Sequence, residues 1–422
     1  MSMELFLTSR KRADLPFQQD VLPEDMSLAV VQRALDIGAT APDIPVLLTG
    51  NEPLLHPDLE DVFTAIRKRK LNCITEVSGL MPDSAKKLLL EHPCTLFWRL
   101  YRPELLAPGD LAEIRVNLKE LRDARVPIQF LLMADDLDAS YDFALKWLEE
   151  FQVRSLLVHM SCSAPIPQRV KLAAWCADQA VALLKRGHTL SLDCGAMPCL
   201  FSDEQFGRLA KINFTRYPCT PHLAVLPDGH FTHCLPMAML PGPPITAFKT
   251  HADALKFYYD IFRDLQLDNS EHPACQSCLS CHTGLCTGLN MAAKAKLTLE
   301  HYEELKKLLE KEENDLEERK KQLWIMTGTA MKIAYFADAV ECLEELRRHD
   351  PGDDKVHYWL GCAYWECNRL TDAEDEFRKC ARLAKDPRLP LAELHRRLVK
   401  NGNAIRARLL YEEFKRLEPP TP

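Results

Sequence analysis

The sequence has no apolar run near the roughly 18–20 residues that a membrane-spanning helix needs. It also has no excess of basic residues: 53 Lys and Arg stand against 61 Asp and Glu, a net charge of −8 over 422 residues. The first absence argues against a helical membrane span. The second removes the broad basic surface by which proteins hold nucleic acid, so neither membrane nor nucleic acid is expected as a partner. A phosphate-cradling glycine loop and a Gly-x-Ser-x-Gly elbow are missing as well, which argues against nucleotide binding by such a loop and against a serine hydrolase of that kind. The first residues, MSMELFLTSRKRADLPF, place their charges after a short apolar stretch, unlike a secretory leader, and a cytoplasmic location is expected. Finally, no cysteine precedes Cys73.

What is present is ample core material, with 47% hydrophobic and 27% charged residues. At roughly 150 residues per domain the length suggests about three domains. Cysteine is plentiful at 16, and in a reducing compartment clustered thiols point to metal or iron–sulfur ligation. Cys194, Cys199, Cys219, Cys234, Cys275, Cys278, Cys281 and Cys286 form the cluster. Soft thiolates suit [4Fe–4S] centres, four to a cluster, so one or two clusters are expected; zinc in a Cys₄ site is the alternative. The string Cys278-Leu-Ser-Cys281-His282 also matches a c-type haem attachment, a chemistry of exported proteins. His222, His230, His233, His272 and His282 flank the thiols and are weaker ligand candidates. Cys73, Cys94, Cys162, Cys176, Cys342, Cys362, Cys367 and Cys380 sit in apolar segments and are expected to be core residues.

Over the first 187 residues, six apolar runs (3–9, 46–50, 73–77, 95–101, 128–134 and 155–161) alternate with amphipathic helical patterns. Continuous apolar strands between helices imply a parallel sheet covered by helices. Six units fall short of eight, so the expected class is α/β with a partial (β/α)6 TIM-like barrel, its site at the C-terminal strand ends. Candidates there are Glu76, Ser78, Arg99, Asp135, Asp136 and His159. Residues 188–290 form a Cys-rich metal-binding module, thin enough in apolar periodicity to need metal for folding. Residues 291–326, dense in Glu, Lys and Leu, read as one long charged linker helix.

Residues 327–422 carry a 34-residue repeat: Ala339, Ala373 and Ala407 recur at that spacing, as do Leu343, Phe377 and Tyr411. This resembles the tetratricopeptide repeat and implies an α-helical repeat domain with a surface for a peptide or protein partner.

The segment LLTGNEPLLHPDLEDVFTAIRKRKLNCITEVSGL, with the spacing Cys219-x9-Gly229-x4-Cys234, resembles the radical S-adenosylmethionine (SAM) superfamily with a SPASM extension. The resemblance covers about residues 3–290. It implies that Gly50, Asn51, Glu52 and Pro53 form the loop that contacts the amino group of SAM, with Asn51 where the family has a second glycine. It also implies auxiliary clusters on the Cys-rich module and a peptidic partner. The family's Cys-x3-Cys-x2-Cys after the first strand, which holds the SAM-cleaving cluster, has Lys11, Leu15 and Gln18 in its place here. Cys162 alone cannot replace three thiolates. The expectation is a pseudoenzyme or an accessory or electron-relay subunit of a peptide- or protein-modifying system. The alternatives are an enzyme of altered chemistry that still binds SAM or another small molecule, and a zinc-stabilised scaffold.

Overall fold

The computed structural model describes residues 2–15, 24–92, 94–134, 140–161, 166–192, 197–210, 219, 221–240, 242–267, 273–278, 286, 290–309 and 316–415. The chain divides into two compact units, Met1–Lys296 and Leu297–Pro422.

In the first unit, continuous apolar runs form β1 (Met3–Thr8), β2 (Val46–Gly50), β3 (Cys73–Val77), β4 (Thr95–Leu100), β5 (Ile128–Ala134), β6 (Ser155–Met160) and β7 (Thr189–Leu192). They lie parallel and side by side in chain order. Strand β2 is buried along its whole length, as expected for a parallel strand covered on both faces. Between the strands come α1 (Leu28–Gly38), α2 (Leu59–Lys68), α3 (Asp83–Glu91), α4 (Pro108–Asp123), α5 (Asp142–Glu150) and α6 (Ile166–Lys185). Ser27 caps α1 by accepting from the Val30 amide, and Pro108 opens α4, where a missing amide costs nothing.

All six expected strand–helix units are present, and a seventh parallel strand follows them. Strand β7 falls within residues first assigned to the Cys-rich module. It is four residues long, and Thr189 and Ser191 interrupt its apolar character. On its other side the sheet continues from β1 into β8 (Ala224–Val225), parallel to it, and then β9 (Phe231–Thr232), antiparallel to β8. The remaining helices here are α7 (Asp203–Ala210), α8 (His251–Ile261), α9 (Arg263–Leu267) and α10 (Pro273–Gln276). Thr250 and Asp253 form a reciprocal capping box at the start of α8. Among the described residues, no helix is long and apolar enough to cross a membrane.

Within the charged segment read as one linker helix, the described residues form α11 (Met291–Leu309) and the start of α12 (Leu316–Lys332); 310–315 lie outside the described residues. In the second unit α13 (Phe336–His349), α14 (Asp354–Glu366), α15 (Leu370–Leu383), α16 (Arg388–Lys400) and α17 (Ala404–Lys415) follow, and from α12 onward each packs on the next. Helices α13, α15 and α17 begin at 336, 370 and 404, and α14 and α16 at 354 and 388, so both series keep the 34-residue step. Ala339, Ala373 and Ala407 are buried at the helix crossings, as are Leu343 and Phe377; Tyr411, the third of that series, is 46% exposed. Of the scattered cysteines, Cys94, Cys176, Cys342, Cys362 and Cys380 are buried, Cys73 and Cys367 are half-buried, and Cys162 lies outside the described residues.

Candidate functional site

The C-terminal ends of β1 to β4 gather a polar network under the loop that follows β2. Gly50 adopts φ +137°, and a Cβ there would collide with the Thr8 carbonyl oxygen, so only glycine lets the loop turn against β1. The loop is then sewn down. The Asn51 amide donates to the Thr8 carbonyl at 3.0 Å and the Glu52 amide to the Arg10 carbonyl at 3.1 Å. The Asn51 side chain donates to the Ser9 carbonyl at 2.7 Å. Asparagine at this position therefore does a structural job that a second glycine could not. Pro53 starts a single 3₁₀ turn, Pro53–Leu55.

From below, Arg99 on β4 donates to the Asn51 carbonyl at 2.8 Å and to the Gly50 carbonyl at 2.7 Å, and pairs with Glu76 on β3. Glu76 also accepts from Thr49 at 2.9 Å. The pair is nearly dry, with side-chain exposures of 8% for Arg99 and 16% for Glu76. Burial works against the Arg99 charge, but the Glu76 carboxylate overcomes it and holds the guanidinium pKa above its usual value.

Glu52 is fully buried. Ser78 donates to its Oε2 through the backbone amide at 3.0 Å and through the hydroxyl. Its Oε1 has no hydrogen-bond partner among the described residues. Burial raises the Glu52 pKa, opposed by the Ser78 hydrogen bonds, the Arg99 charge and the Leu54 backbone. A buried carboxylate oxygen without a donor is costly. It is the kind of acceptor that an amino group entering the mouth would satisfy.

The described residues that follow β1 pack beside this network. Leu15 packs with Tyr101, Leu131 and Met133 in a small apolar cluster, and Ala13, Phe97, Leu106 and Leu157 press against it. The register pairs Arg99 with Leu131 and Met133 with His159, so these side chains share one face of the sheet. Lys11 pairs with Asp14 at 2.8 Å, and Arg10 is fixed to Asp25 by two hydrogen bonds from Nε and one from Nη2. Ser9, Arg10, Lys11, Glu24 and Leu55 line a cavity of about 460 Å³ beside this loop.

Thus Glu76, Ser78 and Arg99 meet at the Gly50–Pro53 loop, and His159 shares the inward face; Gln18, Asp135 and Asp136 lie outside the described residues. Sequence reasoning missed Thr49, whose only signal was a hydroxyl inside an apolar strand. It also missed the packing of Leu15, which no local pattern announces.

In the cysteine segment, Cys199 lies on the short turn Pro198–Leu200. Packing around its sulfur raises its pKa, and Cys286, Cys275 and Cys278, in that order, add to the rise or oppose its ionisation. As a residue Cys199 is exposed. Cys275 lies on α10, and the Cys278 amide donates to the Cys275 carbonyl at 3.2 Å. Cys194 and Cys281 lie outside the described residues. Among the described residues no three His, Cys, Asp or Glu side chains are close enough to hold a metal ion. A donor set of thiols alone is nevertheless the chemistry that iron–sulfur and zinc sites use.

Cys234 follows β9 and is buried; burial, and after it the neighbouring Cys234, raise the pKa of Tyr258, whose hydroxyl donates to the Phe231 carbonyl at 2.7 Å. Gly229 sits in the turn joining β8 to β9, and Cys219 is half-buried upstream of that hairpin. His233 is pulled down to about 4 by burial and then by His222, so it is neutral and packs edge-on against Tyr258 and Phe262. His222 lies 4.0 Å from Glu4 and His230 3.1 Å from Asp228; His272 and His282 lie outside the described residues.

Among solved structures, native anSMEcpe with bound AdoMet and Kp18Cys peptide matches with a TM-score of 0.50 at 13% identity, covering 70% of this chain and 96% of that one. The two share a fold. Streptococcus suis SuiB bound to S-adenosylmethionine matches with a TM-score of 0.48 at 15% identity, covering 66% of this chain and 71% of that one. The structure of SuiB bound to precursor peptide SuiA matches with a TM-score of 0.48 at 13% identity, covering 66% and 69%. No family model and no curated protein matches the sequence.

Proposed function

We propose that this chain is a degenerate radical-SAM/SPASM-like protein: a partial barrel whose mouth has lost the SAM-cleaving cluster, a Cys-rich module that binds one or two auxiliary [4Fe–4S] clusters, and tetratricopeptide-like repeats that hold a peptide or protein partner. Its role is that of a pseudoenzyme, or of an accessory or electron-relay subunit in a peptide- or protein-modifying system. The observation that carries this reading is the N-terminal loop. Lys11 and Leu15 stand at two positions where thiolates would hold iron, and Leu15 is packed against Tyr101, Leu131 and Met133. A lysine ammonium repels a metal cation, and an isobutyl group offers it no electrons.

The auxiliary ligands would come from Cys194, Cys199, Cys219, Cys234, Cys275, Cys278, Cys281 and Cys286. Such clusters supply electron transfer. The test is iron, zinc and acid-labile sulfide per chain after anaerobic purification. About eight or about four irons with matching sulfide supports the reading. About twelve would place a third cluster at the mouth and overturn the pseudoenzyme role. Zinc without sulfide would leave a metal-stapled scaffold.

A second reading, that the mouth still binds SAM, rests on the unpartnered Oε1 of Glu52. Gly50, Asn51 and Glu52 would face its amino group. Calorimetric binding of SAM that Glu52→Ala abolishes would favour this reading; unchanged binding in that variant would end it.

A further inference from the structure

The second unit holds a cationic cavity of about 490 Å³ where the last turns of α13 and α15 meet the start of α14. Arg347, Arg348, Lys379 and Arg382 line it together with Pro351 and Leu383. Beneath them is Glu376, with a side chain only 3% exposed. Glu376 accepts from Arg347 at 2.9 Å and from Lys379 at 2.8 Å, and His357 Nδ1 lies 2.5 Å from its other oxygen. His357 is itself held at 2.9 Å from the Pro351 carbonyl. One buried carboxylate thus fixes two of the cations.

The other two have no such partner. The Arg348 Nε donates only to the Glu344 carbonyl, at 3.3 Å, and neither Arg348 nor Arg382 forms an ion pair among the described residues. Cations at helix C-termini also complement the helix dipole, and dipole compensation alone would account for Arg347, Arg348 and Arg382. It would not account for their convergence, from two helices, on one cavity that His357, Pro351 and Leu383 also line, in a chain whose net charge is −8.

We propose that this cavity binds an acidic peptide segment. Spaced carboxylates of the peptide pair with Arg348 and Arg382, and an apolar side chain lies against Pro351 and Leu383, the latter 46% exposed. A compact dianion such as phosphate fits less well, because the apolar wall of Pro351 and Leu383 gives it nothing. This inference rests on the reading of the repeats as a peptide-binding unit and names the chemistry of the peptide.

The test is fluorescence anisotropy on the full chain with a labelled peptide of Glu pairs separated by Leu, its Gln counterpart, and inorganic phosphate as competitor. The double variant Arg348→Gln/Arg382→Gln changes two exposed positions, so an unchanged melting temperature confirms that it folds. The Glu peptide is expected to bind the parent chain, to weaken as salt rises, and to lose about tenfold or more in affinity in the double variant, while the Gln peptide binds poorly to both. Binding of both peptides that ignores the double variant would overturn this site yet leave the repeats as a peptide-binding unit. Displacement by phosphate at concentrations matching the peptide would make the site an anion site instead. Failure of both peptides to bind the parent chain would overturn both readings.

Discussion

Glu52 and Arg99 occupy the same few ångströms and stand in opposite electrostatic positions. Arg99 is buried with its partner Glu76, so its charge is matched. Removing one member of such a pair costs more than removing both, because the survivor is left in low dielectric. Arg99→Met is expected to destabilise the first unit by about 3–5 kcal/mol, and Arg99→Met/Glu76→Gln by distinctly less, as read from urea denaturation. A loss under about 1 kcal/mol in the single variant would mean that the pair does not hold the loop. Glu52, whose pKa is raised, behaves the other way. Its contribution to stability is fully present below the unfolded carboxyl range and is lost as pH rises through its folded pKa. Glu52→Gln removes that titration. The stability of the variant relative to the parent is therefore expected to improve as pH rises from acidic to neutral, measured by thermal unfolding across pH. A difference that stayed flat or fell would contradict the desolvation argument. Glu376 has the opposite sign: its cationic neighbours hold its pKa below the usual range despite burial. The stability it provides is present above the unfolded carboxyl pKa and fades as pH falls through the folded value.

At the level of elements, the helical hairpin of α14 and α15 depends on a missing side chain. A Cβ on Gly361 would stand 3.0 Å from three ring atoms of Phe377. Gly361→Ala is expected to cost about 1–3 kcal/mol through forced repacking, confined to the second unit. Denaturation followed by near-ultraviolet circular dichroism checks it; a neutral or stabilising effect would show that the crossing has slack. Such elements were readable in advance because their signals are local. Strands such as VLLTG are continuous apolar runs, and the 34-residue recurrence of Ala339, Ala373 and Ala407 matches three buried crossings. Strands β7, β8 and β9 were not readable. The first is short and half polar, and the other two are two-residue pairings that exist only because β1 offers an edge. The loop at Gly50–Pro53 announced itself through glycine and proline. The burial of Leu15 against Tyr101 and Met133 could not, since it joins residues far apart in sequence.

On the scale of the whole chain, the division into Met1–Lys296 and Leu297–Pro422 means two cores rather than one. Two transitions are expected in urea or on heating. With the proposed clusters bound, a chelator should shift only the transition of the first unit, which contains all eight clustered cysteines, because bound metal stabilises only the unit that holds it. A single transition, or a chelator effect on both, would show that the two cores unfold together.

The placement of β8 beside β1 has a further consequence. Glu4 and Leu5 pair with Ala224 and Val225, while the opposite edge of β1 pairs with β2 from Val46 onward. A ribosome adds about 5–20 residues per second, so for on the order of ten seconds or more the growing chain shows one open, apolar edge of its first strand. During that interval the edge is free to pair with other chains. Fragments released before residue 224 are therefore expected to aggregate or to ride on chaperones. Those that continue through Thr232 carry their own cover for the first strand they made.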